Sequence, residues 1–478
     1  MTTTTSDTSP ADRPTLWRYL NALEIDTRLL GMVGALAFIW VGFHLLTDGT
    51  FLTARNLWNL SVQTAVVGVM ASGMVLVIVT RNIDLSVGSV LGLLAMIMAF
   101  VQVEVLPAYL GLGHPLIWII ALAFGLALGI GVGAFQGYWI AYAGVPAFIV
   151  TLGGLLVFRG AAWWVTFGRT VAPLDQTYQL IGGGIAGSIG ATWSWVVGAV
   201  AMAAIVFGTV RARAQRRQYG FPLKPIWAEL VVGGSTVAVV IGFVLVMNSY
   251  TLPQRTVAQK VVGEIAEELE EAGQSVAALP DETRRLIESF PEEAGPLVAE
   301  LPGSATQLVR LLQGWDGLER VPRGIAVPVL IMIGVAVIMN FVALRTRFGR
   351  YVFAIGGNPE AADLAGVNTR RVIMTIFIIM GVLCAIAGAI ASARLNAGAN
   401  STGLLAELSV IAAAVIGGTS LAGGIGTIVG ALLGALVMQS LQSGMVLMGM
   451  DTPLQNIVIG LVLIIAVFID TVYQRHRR

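Results

Sequence analysis

The feature that most constrains this chain is a succession of apolar runs, each long enough or nearly long enough to cross a bilayer as a helix. They are residues 29–47, 60–80, 86–104, 115–135, 145–165, 193–210, 226–247, 325–343, 372–393, 424–443 and 453–470. About 20 mainly apolar residues carry a helix across the hydrocarbon core. No water reaches the backbone there, so such runs must be helical. A shorter run, 408–418, leads into a stretch holding Gly417, Gly418, Gly423 and Gly424, and predicts half of a broken helix or a re-entrant segment. Counting it, the expected fold is all-α, a polytopic integral membrane protein of about 12 crossings. Charge agrees: 12% of the 478 residues are charged, about half of what soluble domains carry.

Arginine and lysine concentrate in loops that stay cytoplasmic. Three segments are basic: Arg211, Arg213, Arg216, Arg217 and Lys224; Arg345, Arg347, Arg350, Arg370 and Arg371; and Arg475, Arg477 and Arg478. Two expected spans separate the first from the second, and four separate the second from the third, so all three fall on one side. Six spans back, the N-terminus falls inside too. Its MTTTTSDTSPADRP has no apolar signal-peptide core and reads as a disordered tail. The same parity puts residues 251–324 outside. That stretch holds 13 acidic and 7 basic residues. Its apolar residues recur at helical spacing (Val262, Ile265, Leu269, Ala272, Val276), and Pro280, Pro291 and Pro302 divide it, which predicts short amphipathic helices. The expected organisation is a cytoplasmic tail (1–28), a first transmembrane part (29–250), an acidic extracytoplasmic insertion (251–324), a second transmembrane part (325–470) with a cytoplasmic loop (344–371), and a basic cytoplasmic tail (471–478).

Several function classes are excluded by residue usage. A net charge of +1 argues against nucleic acid as a partner. The lone Cys384 cannot form an internal disulfide. A phosphate-binding loop needs lysine after glycine, and neither Lys224 nor Lys260 follows one. The histidines, His44, His114 and His476, are too scattered for a catalytic cluster. No catalytic residue, cofactor or metal is expected.

Asp84-Leu85-Ser86-Val87 is echoed by Glu407-Leu408-Ser409-Val410, and each is followed by G-x-x-x-G-A-x-x-G: Gly129, Gly133, Ala134, Gly137, then Gly426, Gly430, Ala431, Gly434. In this topology the two copies run in opposite directions, as in transporters built from inverted repeats. Close helix packing explains each glycine taken singly.

Three constellations carry polar chemistry. Arg81 to Ser89 (RNIDLSVGS) is a polar break between two spans: Arg81 reads as an anchor at the inner interface, while Asp84 or Ser86 either caps the next helix or, with Ser89, faces a pathway. Arg159 precedes Trp163 and Trp164; it reads as snorkelling beside an interfacial tryptophan belt, with a water-filled pathway as the alternative. In the loop RTRFGRYVFAIGGNPEAADLAGV, 345–367, Asn358 and Pro359 start a short helix, Glu360 suits its first turn, and Gly366 ends it. Such a helix would press Ala361, Leu364 and Ala365 onto a neighbour, either its own spans or a protein partner.

Glu360-Ala361-Ala362, with Gly366 four positions after Ala362, resembles the coupling-loop signature of bacterial ABC importer permeases. IDLSVGS (83–89), VPAFIVTLG (145–153) and IGGTSLAGGIGT (416–427) resemble the branch that carries ribose, galactose, arabinose or xylose, and the extra span at 226–247 looks most like its xylose-type members. The 251–324 insertion departs from that pattern. The resemblance implies an inner-membrane permease working as a homodimer within lipid, with a cytoplasmic ATP-binding cassette ATPase docked at Gly356, Asn358, Glu360, Ala361, Ala362, Leu364 and Gly366. A periplasmic sugar-binding protein would deliver cargo. Asp84, Ser86, Ser89, Arg159, Glu407 and Ser420 are the candidate pathway residues. A neutral polar solute fits, because no arginine pair awaits a dianion. An ion-coupled secondary transporter is the competing class, and would need carboxylates at membrane depth; Asp84, Glu229 and Glu407 all lie near expected span ends.

The topology is directly testable. With Ser275→Cys and Gln215→Cys introduced separately into a Cys384→Ser background, an impermeant thiol reagent should label position 275 and not 215 from outside intact spheroplasts. The reverse pattern would invert the orientation.

Overall fold

The computed structural model describes residues 27–184, 187–273 and 275–475. The expected N-terminal tail, apart from Thr27 and Arg28, and the end of the basic tail, including Arg477 and Arg478, lie outside the described residues. In chain order the membrane-part helices are α1 (Thr27–Leu46), α2 (Ala54–Val79), α3 (Val87–Leu110), α4 (Ile117–Ala141), α5 (Ala147–Thr166), the short α6 (Gln176–Ile181), α7 (Gly190–Gln218) and α8 (Ile226–Ser249). The insertion follows as α9 (Gln254–Glu271), α10 (Asp281–Glu288), α11 (Ala294–Ala299) and α12 (Leu301–Gln313). The chain continues through α13 (Val327–Arg345), the loop helices α14 (Arg347–Gly357) and α15 (Pro359–Leu364), then α16 (Thr369–Leu395), α17 (Ala406–Ile416), α18 (Ile428–Leu447) and α19 (Thr452–Arg475).

Among the described residues ten helices are long and apolar enough to cross a membrane, and two shorter apolar stretches, α17 and Thr452–Phe468 of α19, stand at the remaining expected positions. The chain is therefore a polytopic all-α membrane protein. Where boundaries differ from those expected, capping explains it. Hydropathy starts the second span at 60, but Thr53 accepts the Asn56 N–H at 3.4 Å and opens α2 six residues earlier, through a polar first turn. The tenth long helix begins at Ile428 rather than 424 because Gly423 and Gly424 take φ of 88° and 75°, and Thr427 then caps Gly430 at 3.1 Å. With 11 residues, α17 rises only about 16 Å, half the hydrocarbon thickness.

Two compact units emerge. The larger (described residues up to 188, 200–240 and 326 onward) centres on α2, whose apolar window is 89% buried, against 6% for α1. Its helices approach at glycines. On α4, a Cβ at Gly129 would stand 2.5 Å from the Gly381 carbonyl, one at Gly133 would strike the Phe377 carbonyl, and one at Gly137 would touch Met374 Cα at 3.0 Å. On α18, Gly430 meets Gly417 and Gly434 meets Ala413, so the two G-x-x-x-G copies are both packing faces. Partners are exchanged between the halves: α16 packs on α3 and α4, while α2 packs on α17 and α18.

The smaller unit, residues 189–199 and 241–325, has a separate core. Val262, Ile265 and Leu269 of α9 pack with Leu308 and Leu312 of α12, while Phe290 meets Trp315 edge to face at 5.3 Å. Pro280 precedes α10, Pro302 lies in the first turn of α12, and the Pro291 carbonyl accepts the Ala294 N–H that opens α11. Arg323 lies over the Tyr250 ring at 5.0 Å, and burial draws its guanidinium pKa downward.

Glycine contact in place of glycine composition predicts a contrast. Gly133→Ala should lower the detergent-solubilised melting temperature by the equivalent of about 1–3 kcal/mol. Gly131→Ala, where a Cβ meets nothing within 4 Å, should leave it unchanged or raise it by up to about 1 kcal/mol. Thermal unfolding of the two variants side by side checks this.

Candidate functional site

The loop between α13 and α16 is built by successive caps. Thr346 accepts the Gly349 N–H at 3.1 Å to start α14, and Asn358 accepts the Ala361 N–H at 3.0 Å to start α15, with Pro359 at its first position. Past Leu364 the chain closes in a Schellman turn: Val367 N–H bonds the Ala362 carbonyl at 3.0 Å, Gly366 N–H bonds Asp363 at 2.9 Å, and Gly366 takes φ +81°. Ala362 and Val367 are buried beneath the turn. Asn358, Glu360, Ala361, Leu364 and Gly366 are exposed, Leu364 at 89%. Two expected docking residues are turned inward instead: Ala362 supports the cap, and Gly356 abuts the Val79 carbonyl, where no side chain fits.

Arg81 holds the Gly356 end of this loop. At φ +64° it closes the end of α2, and its Nε and Nη2 donate to the carbonyls of Gly356 (2.9 Å) and Gly357 (2.7 Å). These are the last two carbonyls of α14, which lack intrahelical partners, and a cation there also meets the negative helix end. So Arg81 clamps the second half of the chain in addition to lying at a helix end. Ser420, a candidate pathway residue, sits on this side as well. Its N–H bonds Ile425 at 2.9 Å and its Oγ accepts from Ala422 N–H at 3.2 Å, within the glycine turn between α17 and α18. The full length of α17 separates it from Glu407.

The other candidates do come together. Asp84 and Ser86 are buried, and Asp84 Oδ1 accepts from the Ser86 N–H (2.9 Å) and Oγ (2.6 Å). This is an Asx turn, so Ser86 stands at the N-cap position of α3 without capping it through its side chain. Ser86 Oγ in turn receives Gln136 Nε2 at 2.7 Å. Arg159 does not snorkel: its Nη1 donates to the carbonyls of Asn400 (2.9 Å) and Thr402 (3.0 Å), in the segment that leads into α17. The neighbouring tryptophans misdirected that expectation, because buried carbonyls in irregular backbone attract a guanidinium more strongly than a headgroup region that already has water.

Beyond that segment Glu407 opens α17, its carboxylate lying against Gly88, where a Cβ would overlap Oε2 and the Gly403 carbonyl. Glu407 is within electrostatic reach of both Arg159 and Asp84. The repeated acidic motifs thus converge, each at the start of its helix, where backbone N–H groups favour negative charge. Ser89 Oγ, Thr402 Oγ1, Glu407 Oε2 and both side-chain polar atoms of Asn400 are buried without hydrogen-bond partners. Such a concentration is unusual for a native interior.

Sequence reasoning missed Gln136, Asn400 and Thr402. A lone amide in the G-A-F-Q-G run of an apolar helix was a usable signal for Gln136. Asn400 and Thr402 offered none, since Arg159 uses their main-chain oxygens.

A family model described as branched-chain amino acid transport system / permease component matches residues 177–467. The xylose transport system permease protein XylH of Escherichia coli is 35% identical, over 97% of this chain and 96% of the relative. Its namesake in Haemophilus influenzae is 35% identical over 94% and 97%, and the ribose import permease protein RbsC of Escherichia coli is 28% identical over 88% and 87%. No solved structure matches. The chain belongs to this family of transport-system permeases, as a multi-pass transport component and not a catalytic enzyme.

Removing the Arg159 side chain strands two main-chain acceptors. Arg159→Leu should destabilise the solubilised chain by about 1–3 kcal/mol. Arg169→Leu, which breaks a 3.4 Å ion pair whose arginine side chain is 67% exposed, should cost about 0–1 kcal/mol. Melting temperatures of the two variants give the comparison.

Proposed function

We propose that this chain is the membrane-spanning subunit of an ATP-driven importer of a monosaccharide, with D-xylose or a related pentose as cargo, in a bacterial inner membrane. Full-length similarity to permeases named for xylose and ribose supports the sugar class. One structural observation carries the mode of energy input: an exposed, doubly capped helix bearing a bare leucine, set on a loop rich in arginine. A large exposed apolar side chain on a rigid helix suits a protein partner, and the chain has no lysine-bearing phosphate loop of its own. A separate ATP-binding cassette ATPase therefore docks at Gly357–Ala361 and Asp363–Gly366. Two copies of the permease, seated in lipid, and a sugar-binding protein on the outer face complete the assembly.

The long apolar helices alternate in direction if each crosses the membrane, and α2 is the second while α16 is the ninth. The exchange of packing partners then relates inverted halves, whose meeting point is the Asp84 and Glu407 cluster. The same two carboxylates are what an ion-coupled carrier would use. Vesicles energised either by ATP or by an ion gradient separate the two: ATP alone should drive xylose uptake.

Docking is tested on the exposed face. Leu364→Glu should abolish co-purification of the ATPase while shifting the permease's own stability by less than about 0.5 kcal/mol. At Gly366 a Cβ meets nothing within 4 Å, but φ of +81° strains any side chain there. Gly366→Asp should therefore abolish uptake with the chain still in the membrane, and Gly366→Asn, which tolerates this conformation without adding charge, should keep more uptake than Gly366→Asp. Normal ATP-driven uptake in Leu364→Glu and Gly366→Asp would reject the docking face.

A further inference from the structure

Three distant segments meet at the inner side of Arg81, and each contributes main chain. The end of α2 supplies the Val79 carbonyl, which accepts the Gly424 N–H at 2.9 Å. The end of α14 supplies the two carbonyls held by the guanidinium. The turn between α17 and α18 supplies Gly423, at φ +88°, where a Cβ would stand 2.5 Å from Arg81 Cγ, 2.7 Å from the Gly356 carbonyl and 3.0 Å from that of Val79. Gly423 leaves room for the Arg81 side chain between these three stretches of main chain, so a displacement of α14 meets Arg81 and the turn together. The turn is in its own right bonded onto α17, with Thr419 N–H on the Ala414 carbonyl at 3.0 Å and Gly418 N–H on Val415 at 2.9 Å. At the far end of α17 is Glu407, against Gly88.

We propose that Arg81 is the positioning residue that carries engagement of the docking loop to α17, so that the short helix and its terminal carboxylate move with α14. The proposal rests on the docking reading given under Proposed function. Its physical content is a contiguous path of hydrogen bonds and backbone contacts with one removable link. The guanidinium spans two carbonyls with a planar fork, which an ammonium group cannot do. Arg81→Gln breaks the fork, Arg81→Lys keeps only the charge, and Gly423→Ala pries the same junction from the opposite element.

The experiment uses the whole complex in proteoliposomes: permease, ATPase and sugar-binding protein, with radiolabelled xylose. Docking is read separately by crosslinking Asp363→Cys, in a Cys384→Ser background, to the ATPase. In Arg81→Gln the crosslink should form as in the wild type and hydrolysis without the binding protein should persist. Xylose moved per ATP should fall about ten-fold, within the usual range of coupling effects. Arg81→Lys should fall in between, and Gly423→Ala should resemble Arg81→Gln. An unchanged xylose-to-ATP ratio in Arg81→Gln and Gly423→Ala would overturn the proposal. So would loss of the crosslink in Arg81→Gln, which would assign the arginine to shaping the docking surface. No crosslink in the parent complex would instead defeat the docking reading itself.

Discussion

Helices in lipid gain nothing from hiding apolar side chains from one another, because the tails are as apolar as leucine; what holds them together is contact and the few hydrogen bonds that cross between them. In this chain the contact is main chain on main chain. Gly129 and Gly133 let α4 press on the backbone of α16, and Gly430 and Gly434 let α18 press on α17. Everything polar in the interior depends on that closeness. The carbonyls of Asn400 and Thr402 reach Arg159, and Glu407 reaches Gly88, only because Gly92 and Gly88 present no side chain to the segment that carries them.

The cluster so formed joins ordinary electrostatics to an unusual amount of unfinished hydrogen bonding. Two carboxylates sit at two helix starts, where the first backbone N–H groups are unpaired and positive, and a guanidinium bridges from a third helix. Half of the set is satisfied: Asp84 holds Ser86, and Ser86 is held by Gln136. The other half, Ser89, Asn400, Thr402 and Glu407, is not.

The membrane helices were legible because a bilayer imposes one length and one polarity on whatever crosses it. Their ends were less so, since Thr53 and Thr427 act through single capping bonds that hydropathy averages away. The short helix α15 could be read almost residue by residue from Asn358, Pro359 and Gly366, each of which has a local conformational reason to be there. Which residues of the loop face outward could not: Gly356 of α14 and Ala362 of α15 are buried by contacts with Val79 and with the Schellman turn. Arg159 was misassigned for a similar reason, its acceptors lying 241 and 243 residues away. The insertion's helical spacing was visible in Val262, Ile265 and Leu269, and these residues form its core.

Arg81 and Arg159 both grip carbonyl oxygens, which every amino acid possesses. The residues they hold are therefore free to change identity at no cost to the bond, provided the backbone stays in place. Arg81 and Arg159 would leave no trace in methods that look for paired substitutions between contacting side chains, because their counterparts have nothing to substitute. The record of these contacts would instead lie in the neighbouring positions where added bulk is forbidden, Gly88, Gly92 and Gly423, and a search for coupled change would pass over the two residues that join the halves of the molecule.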